Sequence, residues 1–176
     1  MKKTLLFLAV FLCANYSVFA GGEHMAKPYV GTPEFERLKT LAGSWKGKHI
    51  ESDGKESDVN VEYSVSSNGS ILVEKLAPGT PHEMISIYRD KKGKAAFTHY
   101  CAIGNQPEMD LISSSEKEMK FDFSPSNNLI DPAKDEHMHA LTLNFDGNDK
   151  LTQTWKYFKG GAQAGETVIT LTRQNS

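Results

Sequence analysis

The sequence contains ten short apolar segments that follow one another at intervals of about ten residues, with turn residues between them. In the second segment Val59, Val61, Tyr63 and Val65 alternate with polar residues, and Asn68-Gly69 follows. Alternation with a period of two is typical of β-strands that bury one face. No long helical pattern separates any two segments, which excludes parallel βαβ units and leaves an antiparallel sheet of consecutive strands.

Ten antiparallel strands favour an all-β, up-and-down barrel, because closure removes the exposed edges of the sheet. A barrel of this size is somewhat too wide for side chains to fill, so we expect an internal cavity. A two-sheet sandwich is the alternative architecture. The predicted strands cover residues 45–52, 59–65, 71–76, 84–89, 95–103, 109–113, 119–123, 136–145, 151–157 and 167–173.

The N-terminus has the features of a secretion signal. Lys2 and Lys3 precede a short apolar segment that cannot span a bilayer, and Val18-Phe-Ala20 resembles a cleavage site. We therefore predict cleavage after Ala20 and export to the periplasm or the medium. Cys13 raises the alternative of a lipoprotein, but it follows a leucine rather than a small residue.

The rest of the chain has the length of one domain. Residues 21–32 are predicted to form a flexible lead-in, and residues 33–174 the barrel domain. Thr32-Pro33 is typical of a helix start, and the spacing of the following apolar residues predicts one short amphipathic helix that Gly43 ends.

Charge and cysteine content limit the partners of the mature chain. Without Lys2 and Lys3 it has 18 basic and 22 acidic residues, a net charge of −4, and no basic stripe is visible. We therefore expect neither nucleic acid nor an anionic membrane as a partner.

Cys101 would be the single remaining cysteine, without an internal disulfide, and we expect it to be buried. The sequence leaves the oligomeric state open.

Residues 137–145 carry two histidines on the more apolar face of a predicted strand. By alternation His137 and His139 share this face with Leu141, Leu143 and Phe145. The same reasoning applied to the other strands assigns a set of polar and aromatic side chains to the lumen, although Tyr100 is an alternative to His99 on the fifth strand. The predicted lining is His49, His99, Cys101, His137, His139, Gln153, Trp155 and Tyr157.

A single histidine on an apolar face is most often a core residue with a hydrogen-bonded ring. Several in one lumen need partners, which implies water, a ligand or a metal ion. Our first hypothesis is a non-catalytic barrel that binds a small-molecule ligand and needs no cofactor. The alternatives are a metal or haem site and an enzyme in which His137 or His139 is a general base.

Two adjacent inward histidines on a strand would lie about 7 Å apart, which suits one metal ion. The third ligand would be His99 or His49. Haem would be held non-covalently by one axial histidine, since the sequence has no Cys-x-x-Cys-His motif. Nucleophilic catalysis by Cys101 with His99 as its base would also need an oxyanion hole, and the sequence shows no recognisable one.

Gly43-Ser44-Trp45 opens the first strand, and Arg173 ends the last. This arrangement is similar to the lipocalin and fatty-acid-binding superfamily. The resemblance implies that the guanidinium packs on the indole face and closes one end of the barrel.

A closer resemblance covers residues 35–173 and is to bacterial lipocalin-like proteins of unknown function, which implies the barrel fold but no activity. The chain also resembles, more distantly, the nitrobindin-type haem barrels. That group binds haem through a histidine near the C-terminal end of the barrel, whereas no histidine follows His139 here. The closer resemblance rests on Leu41-Ala-Gly-Ser-Trp-Lys-Gly47, Thr98-His-Tyr-Cys-Ala-Ile-Gly-Asn-Gln-Pro107, His137-Met-His139, Trp155 and Leu171-Thr-Arg173.

Overall fold

A computed structural model describes residues 26–175 of the chain. The predicted signal peptide, its cleavage after Ala20, Cys13 and the first part of the lead-in lie outside the described residues. Within residues 26–175, no helix is both long enough and apolar enough to cross a membrane.

The described chain has one α-helix followed by ten strands. The helix is α1 (Pro33–Lys39). The strands are β1 (Gly43–Ile50), β2 (Glu56–Ser66), β3 (Ile71–Leu76), β4 (Met84–Lys91), β5 (Lys94–Tyr100), β6 (Glu108–Ser114), β7 (Glu118–Phe123), β8 (His137–Asp146), β9 (Lys150–Lys159) and β10 (Ala162–Arg173).

The ten strands form a closed antiparallel barrel in which each strand pairs with its neighbour in the sequence. The last strand returns to the first, where Trp45 lies opposite Arg173 and Ile50 opposite Val168. The predicted barrel is therefore confirmed, and the sandwich alternative is wrong. Closure leaves the sheet without free edges, as expected for a long series of short antiparallel strands.

Helix α1 lies against one end of the barrel. The Thr32 hydroxyl caps it by accepting a hydrogen bond from the backbone N–H of Phe35, and Thr32 also donates to Asp90 of β4. Phe35 and Leu38 are fully buried. The helix ends at Lys39, earlier than the sequence pattern suggested, because β1 already begins at Gly43.

Trp45 and Arg173 form the floor of this closed end. The indole is almost fully buried and donates to the carbonyl of Leu41 at 2.8 Å. The Arg173 guanidinium lies 4.3 Å from the centre of the indole ring. It also donates to the carbonyls of Ala42 and Thr40, each at 2.8 Å, so it satisfies acceptors just beyond the end of α1. This is the contact that the lipocalin resemblance implies.

Replacing the Arg173 side chain tests the closed end. Arg173→Met removes three charged hydrogen bonds, to the carbonyls of Thr40, Ala42 and Asn148, and the contact with Trp45, so we expect a loss of about 2–3 kcal/mol in the free energy of unfolding. Urea denaturation followed by circular dichroism measures it. The control is Lys48→Gln, which breaks an exposed ion pair with Asp58 on β2 and should change stability little. Equal effects of the two substitutions would contradict the role assigned to Arg173.

Candidate functional site: a cavity at the open end of the barrel

A cavity of about 210 Å³ lies at the end of the barrel opposite α1. It is bounded by residues at the ends of β1, β3 and β5, by residues at the starts of β4 and β8, and by residues in the middle of β9 and β10. These strand ends converge there because consecutive strands are antiparallel. The apolar part of the lining consists of Leu76, Met84, Met138, Trp155 and Ile169.

His99 is the buried polar side chain of this cavity. It is 2% exposed, its Nδ1 lies 3.1 Å from the hydroxyl of Ser86, and its ring packs against Trp155 at 4.8 Å. Its Nε2 is also buried and has no hydrogen-bond partner among residues 26–175. Burial lowers the pKa of His99 to about 4, so the ring is neutral at physiological pH. The neighbouring Tyr100 is 45% exposed, which resolves the orientation of β5: His99 faces the lumen.

Beneath the cavity, the Glu74 carboxylate is buried at the centre of three hydrogen-bond donors. The Tyr63 hydroxyl donates to Oε1 at 2.7 Å, the Tyr88 hydroxyl donates to Oε2 at 2.9 Å, and the Gln153 amide donates to Oε1. Burial, with the Glu74 charge, raises the pKa of both tyrosines well above the ordinary value, so they remain donors. The Trp155 indole donates to Oε1 of Gln153 at 2.9 Å, which joins this network to the cavity wall.

Sequence reasoning found Gln153 and Trp155 but missed Glu74, Tyr63 and Tyr88. A signal for Glu74 was present, because it alternates with Leu72 and Leu76, both of which are buried. A carboxylate between two inward leucines requires donors from neighbouring strands, and tyrosines on β2 and β4 supply them.

His137 and His139 lie in a different place from the one predicted. The pairing of β8 with β9 shifts register between Met138 and Ala140, and a β-bulge of this kind interrupts the alternation of side chains. As a result Met138 lines the cavity, while Leu141 and Leu143 remain in the core.

The two histidines instead form a separate aromatic cluster. His137 Nε2 lies 2.8 Å from His139 Nδ1, and the His139 ring stacks on Phe158 at 3.9 Å. His139 Nε2 also lies 3.4 Å from a carboxylate oxygen of Asp122. Burial lowers the pKa of His139, although Asp122 opposes this effect.

The predicted three-histidine metal site is not assembled. His99 packs on Trp155, whereas His137 and His139 belong to the cluster around Phe158. Across residues 26–175, no group of three or more histidine, cysteine, aspartate or glutamate side chains is arranged to hold a metal ion.

Of the other predicted lining residues, His49 borders the cavity, whereas Tyr157 and Cys101 are not part of its lining. His49 lies at the mouth and is partly buried. Tyr157 donates to Glu136, which raises the pKa of Tyr157 to about 12. Cys101 is half-buried and forms no disulfide within the described chain, so it is less enclosed than expected.

A wider depression of about 530 Å³, here called the vestibule, continues the cavity towards solvent. It shares His49, Met84 and Ile169 with the cavity and adds the polar side chains of Lys55 and His82. The vestibule is lined by both polar and apolar side chains, and the cavity wall carries Glu51, Ser52 and Thr167 beside its apolar residues.

Comparisons with known proteins identify the fold and no family. No protein-family model matches the chain, and no curated protein matches its sequence. Among solved structures, Rv2717c from M. tuberculosis superposes with a TM-score of 0.55 at 14% identity, covering 83% of this chain and 100% of that one. At this identity the likeness shows the fold alone.

Two further structures are less similar. One is a protein of unknown function of the DUF3598 family from Nostoc punctiforme, with a TM-score of 0.49 at 14% identity over 88% of this chain and 53% of that one. The other is EF1p2_mFAP2b bound to DFHBI, with a TM-score of 0.38 at 16% identity over 80% of this chain and 98% of that one.

The depressed pKa of His99 predicts an acid dependence of stability. Above pH 6.5 the ring is neutral in both states. As the pH falls from about 6.5 to about 4, the unfolded chain binds a proton that the folded protein excludes, so stability is lost across this range. The loss is at most about 3 kcal/mol.

Urea denaturation at a series of pH values measures this loss. His99→Phe should reduce it to the part contributed by His139, whose pKa burial also lowers, while His82→Gln, at an exposed histidine of the vestibule, should retain it in full. An unchanged pH dependence in His99→Phe would show that His99 does not resist protonation in the folded state.

Proposed function

We propose that the barrel binds a small, largely apolar molecule in the cavity at its open end, without a chemical step. The observation that carries this proposal is the buried, unpartnered Nε2 of His99 beside an apolar space. An unsatisfied buried polar group costs about 1–3 kcal/mol, and a ligand with a matching polar group recovers that cost.

The dimensions of the cavity support a ligand of one or two rings. Its volume is about 210 Å³. An apolar cavity of about 150 Å³ encloses benzene, and pockets for drug-sized ligands begin at about 300 Å³. The Trp155 ring and the flexible thioethers of Met84 and Met138 favour a planar aromatic molecule.

The alternatives are less well supported. The cavity alone, at about 210 Å³, is too small to enclose haem, so a porphyrin would have to occupy the vestibule as well. An efficient general base has a pKa near the working pH, whereas burial lowers that of His99 to about 4. This mismatch favours binding over catalysis at His99.

We also propose export of the protein, on the basis of the N-terminal basic and apolar segments and the cleavage pattern at Ala20. Mass spectrometry of the protein from periplasmic and medium fractions tests it. A mature N-terminus at Gly21 would support export, and an intact N-terminus in the cytoplasm would contradict it.

Isothermal titration with 2-naphthol tests the proposed binding. This probe has two fused rings and one hydroxyl, and we expect it to bind the wild-type protein with a 1:1 stoichiometry. Met138→Trp, which fills the cavity, should weaken binding more than tenfold. His99→Phe, which removes the polar partner, should weaken it about tenfold, as the loss of one hydrogen bond implies.

The matched control is Tyr100→Phe. Tyr100 is adjacent to His99 on β5 but is exposed, so its hydroxyl should not affect binding. Undetectable binding by the wild-type protein, or equal losses in Tyr100→Phe and His99→Phe, would contradict the proposed site.

A further inference from the structure

We propose that His137 and His139 form a proton-binding site: on acidification the two rings take up one proton between them, and the carboxylate of Asp122 is its counterion. The contact between β7 and β8 then changes from a repulsion between lone pairs to an ion pair. Neither histidine lines the cavity, so the proton uptake and its test do not depend on the proposed ligand.

The first step fixes the position of one proton of His137. Its Nδ1 lies 2.9 Å from the backbone carbonyl oxygen of Asp135. A carbonyl oxygen only accepts hydrogen bonds, so Nδ1 of His137 carries a proton and donates it. His137 is fully buried and packs against the rings of Phe123 and Phe158, which hold the imidazole in this orientation.

The second step counts the protons that the remaining contacts need. Nε2 of His137 lies 2.8 Å from Nδ1 of His139, and a hydrogen bond there needs one proton between them. Nε2 of His139 lies 3.4 Å from Oδ1 of Asp122, an oxygen that also accepts from the backbone N–H of Phe123. An attractive contact there needs a proton on Nε2. The three contacts therefore need three protons, whereas two neutral imidazoles carry two.

The third step places the missing proton at the contact with Asp122. Two facing lone pairs repel more strongly at 2.8 Å, between the rings, than at 3.4 Å, beside the carboxylate. In the neutral pair the second proton therefore lies between the rings, and Nε2 of His139 faces Asp122 without one. One further proton satisfies all three contacts, whichever ring carries the charge. A second would place two positive charges on adjoining rings, so the pair takes up only one.

Burial and charge act on this site in opposite directions. Burial lowers the pKa of His139, whereas Asp122 raises it and His137 lowers it further, so uptake is expected on the acid side of the ordinary value of 6.5. The Asp122 side chain is 47% exposed, so water stabilises its negative charge. The other charged groups on the adjoining elements are Asp110 of β6, which is paired with Lys91, Lys156 of β9, which lies opposite Ala140, Asp135, which accepts from the backbone of Asp131, and Glu136, which is paired with Lys159.

Nitrogen-15 NMR of the imidazoles between pH 8 and pH 5 tests the site, because unperturbed histidines change charge in this range. The signals are assigned by their absence in His137→Gln and His139→Gln. At the upper limit we expect pyrrole-type Nδ1 and pyridine-type Nε2 in both rings. On acidification both rings should respond with one common midpoint, while Nδ1 of His137 remains pyrrole-type. Separate midpoints, no titration, or a pyridine-type Nδ1 in His137 would overturn the proposal.

The counterion is tested by removing its charge. Asp122→Asn also offers an amide donor to the neutral Nε2, so the common midpoint should fall by about one pH unit. Glu118→Gln is the matched control, because it removes an acid from the same strand but at the position opposite Asn144 rather than Ala140. It should leave the midpoint unchanged. Equal shifts in the two variants would contradict the role of Asp122.

The pairing of the rings is tested by His137→Phe, which keeps an aromatic ring but removes the partner of Nδ1 of His139. The neutral His139 is then free to place its proton on Nε2 and donate it to Asp122. At the upper pH limit its Nε2 resonance should change from pyridine-type to pyrrole-type. A His139 that keeps its proton on Nδ1 in this variant would overturn the shared site.

Discussion

The interior of this barrel is organised around one buried carboxylate. Glu74 is 1% exposed, and burial of such a group is costly unless donors surround it. The donors come from three other strands and are Tyr63, Tyr88 and Gln153. The buried carboxylate therefore requires a hydrogen-bond donor at one inward position of each of these strands. The Trp155 indole donates a hydrogen bond to Gln153, so the side chain of the cavity wall is held by the same network.

The two ends of the barrel differ because they are filled differently. At one end α1, Trp45 and Arg173 form a floor in which buried polar groups find partners. The other end has no comparable plug within residues 26–175, and a cavity remains between Met84, Met138 and Trp155. The unpartnered nitrogen of His99 lies at this open end, which is why the proposed ligand site is placed there.

The strand pattern was sufficient to predict the barrel, since period-two alternation and the absence of long helices leave few other architectures. The same rule did not predict where His137 and His139 lie relative to the cavity. The register shifts between Met138 and Ala140, so Met138 lines the cavity, while His137 is fully buried in the cluster around Phe158. No local feature of the sequence marks that bulge. The Glu74 network was also missed, because its members come from strands distant in the sequence and their convergence depends on the register of the closed sheet.

The central claim, that a small aromatic ligand occupies the open end, can be tested with the two tryptophans as internal reporters. Trp155 lines the cavity and its indole N–H donates to Gln153 beneath it, whereas the indole N–H of Trp45 lies at the closed end. In a ¹⁵N–¹H correlation spectrum, titration with 2-naphthol should shift the Trp155 indole resonance in a saturable way and leave that of Trp45 unchanged. A shift confined to Trp45, or no saturable shift of Trp155, would contradict the account.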